Sequence, residues 1–224
     1  MEMGWSMKKV IRHAALGILL LLLGGAVYEL YLYNFIPHRK YASEKFGIPP
    51  YSSSVDQDGD GVDDQTDILN NAKDYLAGKP KYKSQYYTTG YPDDEYGVCT
   101  DVVAFAMLGA GYNLMELVQQ DIAEHPEEYD IGKPDANIDF RRVKNLIVYF
   151  RHTAIALTTD PRQIEAWQGG DIVIWNGHIG IISDHRNKDG IPFVLHNARP
   201  VQASYEEDIL ESYGEIVGHY RISE

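Results

Sequence analysis

A cysteine and a histidine of this chain have the types and the order of a nucleophilic site. Cys99, the only cysteine in 224 residues, stands where a glycine-bearing loop gives way to an apolar helical pattern. Farther along, His178 opens an apolar run typical of a strand. The start of a helix lowers the pKa of a thiol, because its unpaired N–H groups and dipole stabilise the thiolate. The sequence therefore predicts a cysteine hydrolase with Cys99 as the nucleophile and His178 as the general base.

A third polar group must hold the imidazole of His178 in one tautomer. His196 and Asn197 both lie on the next predicted strand, and strand alternation sends only one of them to the face of the site. Asp184 ends the His178 strand at an even spacing and is a further alternative.

Residues 56–67 have the spacing of a twelve-residue calcium-binding loop, with Gly61 where the chain must turn sharply. The last position departs from an EF-hand, since Asp replaces the bidentate Glu, and the loop resembles those of thrombospondin type 3 and dockerin-like modules. We expect a structural Ca²⁺ in this loop and no metal in catalysis. The predicted ligands are five carboxylates and one backbone carbonyl: Asp56, Asp58, Asp60, Val62, Asp64 and Asp67.

The amino terminus carries a membrane signal. Lys8, Lys9 and Arg12 precede an apolar stretch that continues to Ile36, which is long enough for a span of about 20 residues. Basic residues before the stretch predict a cytoplasmic amino terminus, with residues 41–224 outside. A cleaved secretory signal is the competing interpretation, and it also exports the domain.

Charge and composition restrict the partners. The net charge is −13, and residues 41–224 carry −16, which repels the phosphates of nucleic acid. A proline- and serine-rich stretch predicts a linker with little structure. The predicted organisation is a cytoplasmic stub and anchor at 1–36, a linker at 37–55, the calcium loop at 56–67 and a catalytic domain at 68–224.

The secondary-structure pattern is of the α+β class. Helical spacing follows the acidic loop, begins again near Cys99, and returns after Asn113 and Val143. From Asp171 the period changes, and short apolar runs joined by turns predict four strands, at 171–175, 178–183, 192–196 and 215–221. Helices first and strands afterwards predict helices packed on an antiparallel sheet.

Several segments together resemble the DUF1287 family, a bacterial family placed near the NlpC/P60 cysteine peptidases. The segments that carry the resemblance lie at 97–103, 137–146, 167–173, 178–184, 195–197 and 218–221. The resemblance implies a papain-like fold that cleaves amide bonds in the stem peptides of the bacterial cell wall. It also implies Cys99 as the nucleophile, His178 as the base and His196 as the third residue. Val98-Cys99-Thr100-Asp101 departs from the Asp-Cys-Ser-Gly usual in those peptidases, which leaves the substrate pocket open.

Four residues are expected to bind substrate. NlpC/P60 enzymes often place a tyrosine upstream of the cysteine, and Tyr87, Tyr91 and Tyr96 all precede it here; an arginine fork suits the carboxylates of a stem peptide. The expected set is Tyr91, Tyr96, Arg141 and Arg142, with a salt bridge to Asp139 as the alternative use of an arginine.

We therefore expect a membrane-anchored, extracytoplasmic cysteine amidase with a Cys-His-His triad. Two other functions fit the same residues. One is a transferase that passes the acyl group to an amine, and the other is a catalytically silent, calcium-stabilised module that binds wall or protein at the cell surface.

Overall fold

The computed structural model describes residues 3–224, with side chains from Met7 onward. Met1 and Glu2 of the predicted stub lie outside the described residues. The chain divides into two compact units, the first ending at His38 and the second comprising Arg39–Glu224.

Helix α1, Met3–Leu32, makes up most of the first unit. Its segment Met7–Leu32 is 26 residues long and has a mean hydropathy of 2.0. A helix of this length and composition is a candidate membrane span, and a signal sequence would have the same properties.

The second unit contains five helices and nine strands among the described residues. The helices are α2 Asp64–Ala77, α3 Cys99–Gly109, α4 Leu114–Glu124, α5 Ala136–Asp139 and α6 Val143–Thr153. The strands are β1 Tyr41–Ala42, β2 Lys81–Tyr82, β3 Tyr96–Gly97, β4 Ile155–Ala156, β5 Ile172–Trp175, β6 His178–Arg186, β7 Pro192–Leu195, β8 Glu206–Glu207 and β9 Ile216–Arg221. Short 3-10 turns lie at Ser43–Phe46, Pro126–Glu128 and Ile164–Ala166.

Seven of these strands form one antiparallel sheet in the order β4-β9-β5-β6-β7-β8, with β1 added against β6. Strands β2 and β3 form a separate parallel pair. The predicted α+β class with an antiparallel sheet is confirmed.

The sheet is buried on both faces. In β5, Ile172 and Ile174 join the large apolar cluster that also contains residues of α2, α3, α4 and α6, while Val173 and Trp175 join a smaller cluster on the other face. Opposite faces follow from the period of two along a strand. Because both faces are apolar, β5 reads in the sequence as a continuous hydrophobic run.

The predicted linker, 37–55, differs from the structure, because all of it from Arg39 onward is part of the second compact unit. Tyr41 and Ala42 pair with the end of β6, and Ser43 Oγ accepts a 2.8 Å hydrogen bond from the buried Arg186 Nε. Ser53 Oγ lies 2.7 Å from Ser223 Oγ near the carboxyl terminus. Serine and proline composition indicated a loop, and it could not reveal these contacts with residues more than 140 positions away.

Candidate active site

Cys99 is the first residue of α3, as the sequence predicted. The N-cap is Val98, whose side chain cannot accept a hydrogen bond. Instead its backbone N–H donates to Asp101 Oδ2 at 2.8 Å, which closes the first turn. Cys99 is partly exposed and packs against the larger apolar cluster.

A buried ion pair supports this first turn. Arg141 Nε and Nη2 donate to the two oxygens of Asp101 at 2.5 and 2.9 Å, and Arg141 Nη1 donates to the carbonyl of Gln85 at 2.8 Å. Both side chains are almost fully buried. Asp101 therefore links the start of the helix that carries Cys99 to the segment before α6.

A tight hairpin sets the position of His178. The two-residue turn Asn176-Gly177 joins β5 to β6, with Gly177 at a φ of 85°, and Trp175 pairs directly with His178. Two residues on, Gly180 leaves room for the neighbouring strand: a Cβ there would lie 2.5 Å from Val194 Cγ1 and 3.5 Å from the Cβ of His196. The absence of a side chain at 180 lets the rings of His178 and His196 meet.

Two histidines and a glutamate form a hydrogen-bonded relay. His178 Nε2 lies 3.0 Å from His196 Nδ1, and His196 Nε2 lies 3.2 Å from Glu207 Oε2. Arg199 Nη2 donates to both oxygens of Glu207. His178, His196 and Glu207 are all buried, and sequence reasoning missed Glu207.

The relay fixes the tautomer of each ring. An ionised carboxylate only accepts hydrogen bonds, so Glu207 requires the proton of His196 to sit on Nε2. His196 Nδ1 is then the acceptor, and the proton of His178 must sit on Nε2. This arrangement leaves the Nδ1 lone pair of His178 available to take a proton.

Aromatic rings enclose His178. Tyr213, in the loop between β8 and β9, stacks on its imidazole with ring centroids 4.4 Å apart, and Trp175 stacks at 5.6 Å. Burial raises the pKa of Tyr213, and its electrostatic interaction with Cys99 raises it further. The tyrosine close to the thiol thus follows the cysteine in sequence, whereas we expected it upstream.

The pKa of Cys99 is raised, which corrects the expectation of a lowered value. Burial raises it to about 11, although the backbone N–H groups of Ile179, Thr100 and Cys99 itself act in the opposite direction. Burial likewise lowers the pKa of His178 to about 3, and electrostatic interactions with His196 and Arg199 act in the same direction. The thiol and the imidazole are therefore both neutral in the resting protein.

Among the described residues, no hydrogen bond joins Cys99 Sγ to His178. Cys99 packs against the larger cluster, whereas Trp175, the cross-strand partner of His178, belongs to the smaller one. The sulfur is instead hydrogen-bonded by the backbone N–H of Ile179, the residue after the histidine. The structure thus brings His178 and His196 into contact, and it connects Cys99 to their sheet through the N–H of Ile179.

The two alternatives for the third residue lie elsewhere. Asn197 Nδ2 donates to the carbonyls of Pro80 and Gly97 at 2.9 and 3.1 Å, so its side chain holds the loop before α3. Asp184 pairs with Lys73 at 2.7 Å and is half-exposed. Of the three candidates, only His196 contacts His178.

The four expected substrate-binding residues occupy different environments. Arg141 is engaged by Asp101 and is not available to a substrate carboxylate. Arg142 is half-exposed and lies 3.4 Å from Asp139, which is the alternative partner that we named. Tyr91 packs between Phe105 and Phe140 with its hydroxyl on Asn113, so it belongs to the core.

Tyr96 alone among these four lines an opening beside the relay. A cavity of about 300 Å³ lies there. Its wall includes Arg199, which binds Glu207, and Gln202, whose Nε2 donates to the carbonyl of His196 at 3.1 Å. The cavity is lined by Lys81, Tyr82, Tyr96, Arg199, Pro200, Gln202 and Tyr205.

The acidic loop has the internal hydrogen bonds of a tight cation-binding turn. Asp56 accepts from the N–H groups of Gly59 and Gly61, and Gly61 has a φ of 96°. One oxygen from each of Asp56, Asp58 and Asp60 lies within 4.8 Å of the others.

The last third of the loop is already helical. Burial and the charges of the three aspartates raise the pKa of Asp67 to about 6. Asp64 differs from its predicted role, since α2 begins there and its carboxylate accepts from Tyr112 Oη at 2.5 Å and Gln57 N at 2.9 Å. The structure therefore groups three of the five predicted carboxylates, with Asp67 close enough to be repelled by them.

We expect His178 to make the folded protein sensitive to acid. Its pKa falls from 6.5 to about 3 on folding. Between these values the unfolded chain binds a proton that the folded chain does not, so stability is lost as the pH falls below 6.5. At about pH 4, the protonation of His178 in the unfolded chain lowers the free energy of unfolding by about 3 kcal/mol. Urea unfolding at neutral and acid pH, compared between the wild type and His178→Gln, measures this contribution.

The acid-induced loss should be smaller by about that amount in His178→Gln. His185→Gln is the matched control, because His185 is half-exposed and outside the relay. An equal loss of stability in the wild type and in His178→Gln would contradict the assignment of a buried neutral imidazole.

Comparison with known proteins identifies the family. The model of the DUF1287 family, described as a domain of unknown function, matches residues 69–222, so the chain belongs to this family. The matched region contains Cys99 and every residue of the relay. The "Uncharacterized protein YijF" of Escherichia coli (strain K12) is 40% identical over 152 residues, which cover 63% of this chain and 72% of that protein. No solved structure gives a significant match.

Proposed function

We propose that this protein is an extracytoplasmic cysteine amidase anchored by α1. The observation that carries the proposal is the relay Glu207–His196–His178, which leaves the Nδ1 of His178 as a base one residue before Ile179, whose backbone N–H hydrogen-bonds the Cys99 sulfur. A base oriented by a second group, beside a nucleophile at a helix start, is the arrangement of a nucleophilic hydrolase.

The proposed reaction starts from neutral groups. With pKa values of about 11 for Cys99 and about 3 for His178, a preformed thiolate–imidazolium pair is disfavoured. The Cys99 side chain must turn toward His178 Nδ1 when substrate binds, and resting sites often have such loose geometry. Nδ1 then takes the thiol proton as sulfur attacks the carbonyl carbon.

In the remaining steps this proton leaves with the amine, and water supplies the proton that restores the thiol. The oxyanion of the tetrahedral intermediate is stabilised by backbone N–H groups at the start of α3, with that of Cys99 as the natural donor. His178 gives its proton to the leaving amine, which leaves an acyl group on the sulfur. His178 then removes a proton from water as the resulting hydroxide attacks the thioester. It returns that proton to the sulfur when the tetrahedral intermediate collapses to the carboxylic acid and the thiol.

The class of substrate comes from the resemblance to NlpC/P60 peptidases. We infer a papain-like arrangement and an amide bond of a peptidoglycan stem peptide as the substrate. The cavity beside the relay has two cations in its wall, Lys81 and Arg199. They pair with Glu95 and Glu207, so a carboxylate of the substrate would have to share these cations with them. Tyr96 is the one expected substrate-binding residue that lines this cavity.

One observation favours a second candidate function. A thiol with a raised pKa is typical of an inert buried cysteine, and the absence of a Cys99–His178 hydrogen bond among the described residues agrees with this. The alternative is a catalytically silent module, stabilised by calcium, that binds wall or protein at the cell surface.

The test is turnover by the full chain in detergent with muropeptides as substrates. We expect new amino groups and shortened peptides with the wild type and none with Cys99→Ala. Products of equal yield from Cys99→Ala would overturn the assignment of the nucleophile. Binding without any product would favour the silent module. Supplying an amine acceptor separates a transferase, which forms an adduct, from a hydrolase.

Calcium is expected to raise the melting temperature through the loop 56–67. At a Ca²⁺ concentration 100 times Kd, binding stabilises the folded state by about 2.7 kcal/mol, or roughly 5–10 °C for a chain of this size. Differential scanning calorimetry with and without Ca²⁺ measures the shift.

The double substitution Asp58→Asn/Asp60→Asn should remove the shift, because it withdraws two of the three grouped carboxylates. Asp130→Asn, at a fully exposed aspartate outside the loop, should keep it. A wild-type protein whose melting temperature does not shift, or a double variant that retains the shift, would refute Ca²⁺ binding by the loop 56–67.

A further inference from the structure

A second group of ligand-type side chains lies on the helical layer, away from the relay. Asp121 is in the last turn of α4, His125 directly follows that helix, and Glu128 is in the next 3-10 turn. His152 lies in the last turn of α6 and completes the group. The proposed amidase uses none of them.

The distances within the group are short. His152 Nδ1 lies 2.8 Å from Asp121 Oδ2, and His152 Nε2 lies 3.1 Å from Glu128 Oε2. His125 Nε2 lies 3.9 Å from Asp121 Oδ1, and the rings of His125 and His152 are 4.7 Å apart between centroids. One ligand atom from each of Asp121, His125 and His152 lies within 4.8 Å of the other two.

Local structure holds these groups in place. Asp121 and His125 are four residues apart, which places them on one side of α4, and the N–H of His125 donates to the carbonyl of Asp121 at 2.9 Å. The hydroxyl of Tyr129 donates to Asp121 Oδ2, so the buried carboxylate is fixed from behind. His125 and Glu128 are both half-exposed, so an ion can reach the group from solvent.

The donor set selects a class of metal. Two imidazoles with one or two carboxylates suit Zn²⁺ and its divalent neighbours, whereas Ca²⁺ prefers oxygen donors alone. Tetrahedral ligands of Zn²⁺ lie about 3.3 Å apart, and small side-chain rotations bring the three atoms to that separation. A carboxylate that orients a ligating histidine is a common partner in such sites.

We propose that Asp121, His125 and His152 are the protein ligands of a Zn²⁺-class transition-metal ion. Glu128 contacts the other ring nitrogen of His152 and is the outer carboxylate that orients this ring. The site joins the end of α4 to the end of α6 and is separate from the elements that carry Cys99, His178 and His196. The bound ion therefore acts as a clamp on the helical layer, and it stabilises the fold without taking part in the reaction.

The test is a Co²⁺ titration of the full, tag-free chain in detergent after removal of metals by chelation. We expect visible absorption bands that saturate at one ion per chain, disappear when Zn²⁺ is added, and accompany a higher melting temperature. His125→Ala and His152→Ala should each weaken Co²⁺ binding by at least about 100-fold, since even the loss of an outer partner costs up to that factor. Asp58→Asn/Asp60→Asn should bind as the wild type does.

His185→Ala is the matched control. His185 and His125 are each 42% exposed, and His185 belongs to a rival group with Asp184 and Glu206. The proposal is overturned if the wild type shows no saturable binding, if binding survives both substitutions in the cluster, or if it is lost in His185→Ala. Because His125 is half-exposed, His125→Ala decides the question even if His152→Ala fails to fold.

Discussion

Replacing Glu207 by Gln should lower kcat/KM for amide hydrolysis by about 10²–10⁴-fold, with KM nearly unchanged. A glutamine can donate its amide N–H to His196 Nε2, which moves the proton of that ring to Nδ1. His178 must then accept at Nε2 and carry its own proton on Nδ1, where it no longer serves as a base. Steady-state kinetics on the muropeptide substrate measure the effect.

Glu206→Gln is the control for that substitution. Glu206 is the neighbour of Glu207 in β8, and its carboxylate contacts Ser183, His185 and Lys40 in place of the relay. We expect Glu206→Gln to change kcat/KM by less than about 10-fold. Equal losses of kcat/KM in the two variants would show that both act by perturbing strand β8, and would contradict a role for the tautomer of His178.

Arg141→Met should destabilise the protein by about 3–5 kcal/mol. The substitution removes the guanidinium and leaves the carboxylate of Asp101 buried without a counter-charge, although that carboxylate still caps α3 through Val98 N–H. Urea unfolding of the wild type and the variant at neutral pH gives the difference. Turnover should fall with the folded fraction, since the first turn of α3 carries Cys99.

Two further variants make this measurement specific. Arg142→Met, at the adjacent half-exposed arginine, should cost less than about 1 kcal/mol. Asp101→Asn/Arg141→Met removes both charges and should be less destabilising than Arg141→Met alone. If Arg141 instead binds substrate, as the sequence suggested, Arg141→Met would raise KM and leave the unfolding curve unchanged.

Local sequence pattern was sufficient for the elements that carry the site. The four predicted strands and the helix at Cys99 are present, because apolar periods of two and of 3.6 reflect burial within a short stretch of chain. The choice of His196 over Asn197 rested on family resemblance. The structure gives its physical basis: Gly180 leaves space for one face of β7, and Asn197 points to the carbonyls before α3.

The contacts that complete the site depend on pairings distant in sequence. Glu207 reaches His196 through the register of β7 with β8, and Tyr213 reaches His178 from an irregular loop. Neither residue carries a local signal of function. The sequence likewise indicated that Arg141 binds a carboxylate. It did not identify that carboxylate as Asp101, which lies 40 residues earlier.

The sign of the pKa shift at Cys99 also could not be derived from sequence. A helix start favours the thiolate, whereas burial favours the thiol, and the outcome depends on which contribution is larger. Here burial prevails. The consequence is a reaction in which His178 removes the proton during attack, with no standing ion pair.

The most direct test of the central claim is the intact mass of the full chain, quenched during turnover of muropeptides. The account predicts an adduct with the mass of the acyl half of the substrate, mapped to Cys99 and absent in Cys99→Ala. Accumulation should increase when deacylation is slowed by His178→Gln with an activated ester in place of the amide. Turnover that proceeds without an adduct on Cys99, and at the same rate in Cys99→Ala, would contradict it.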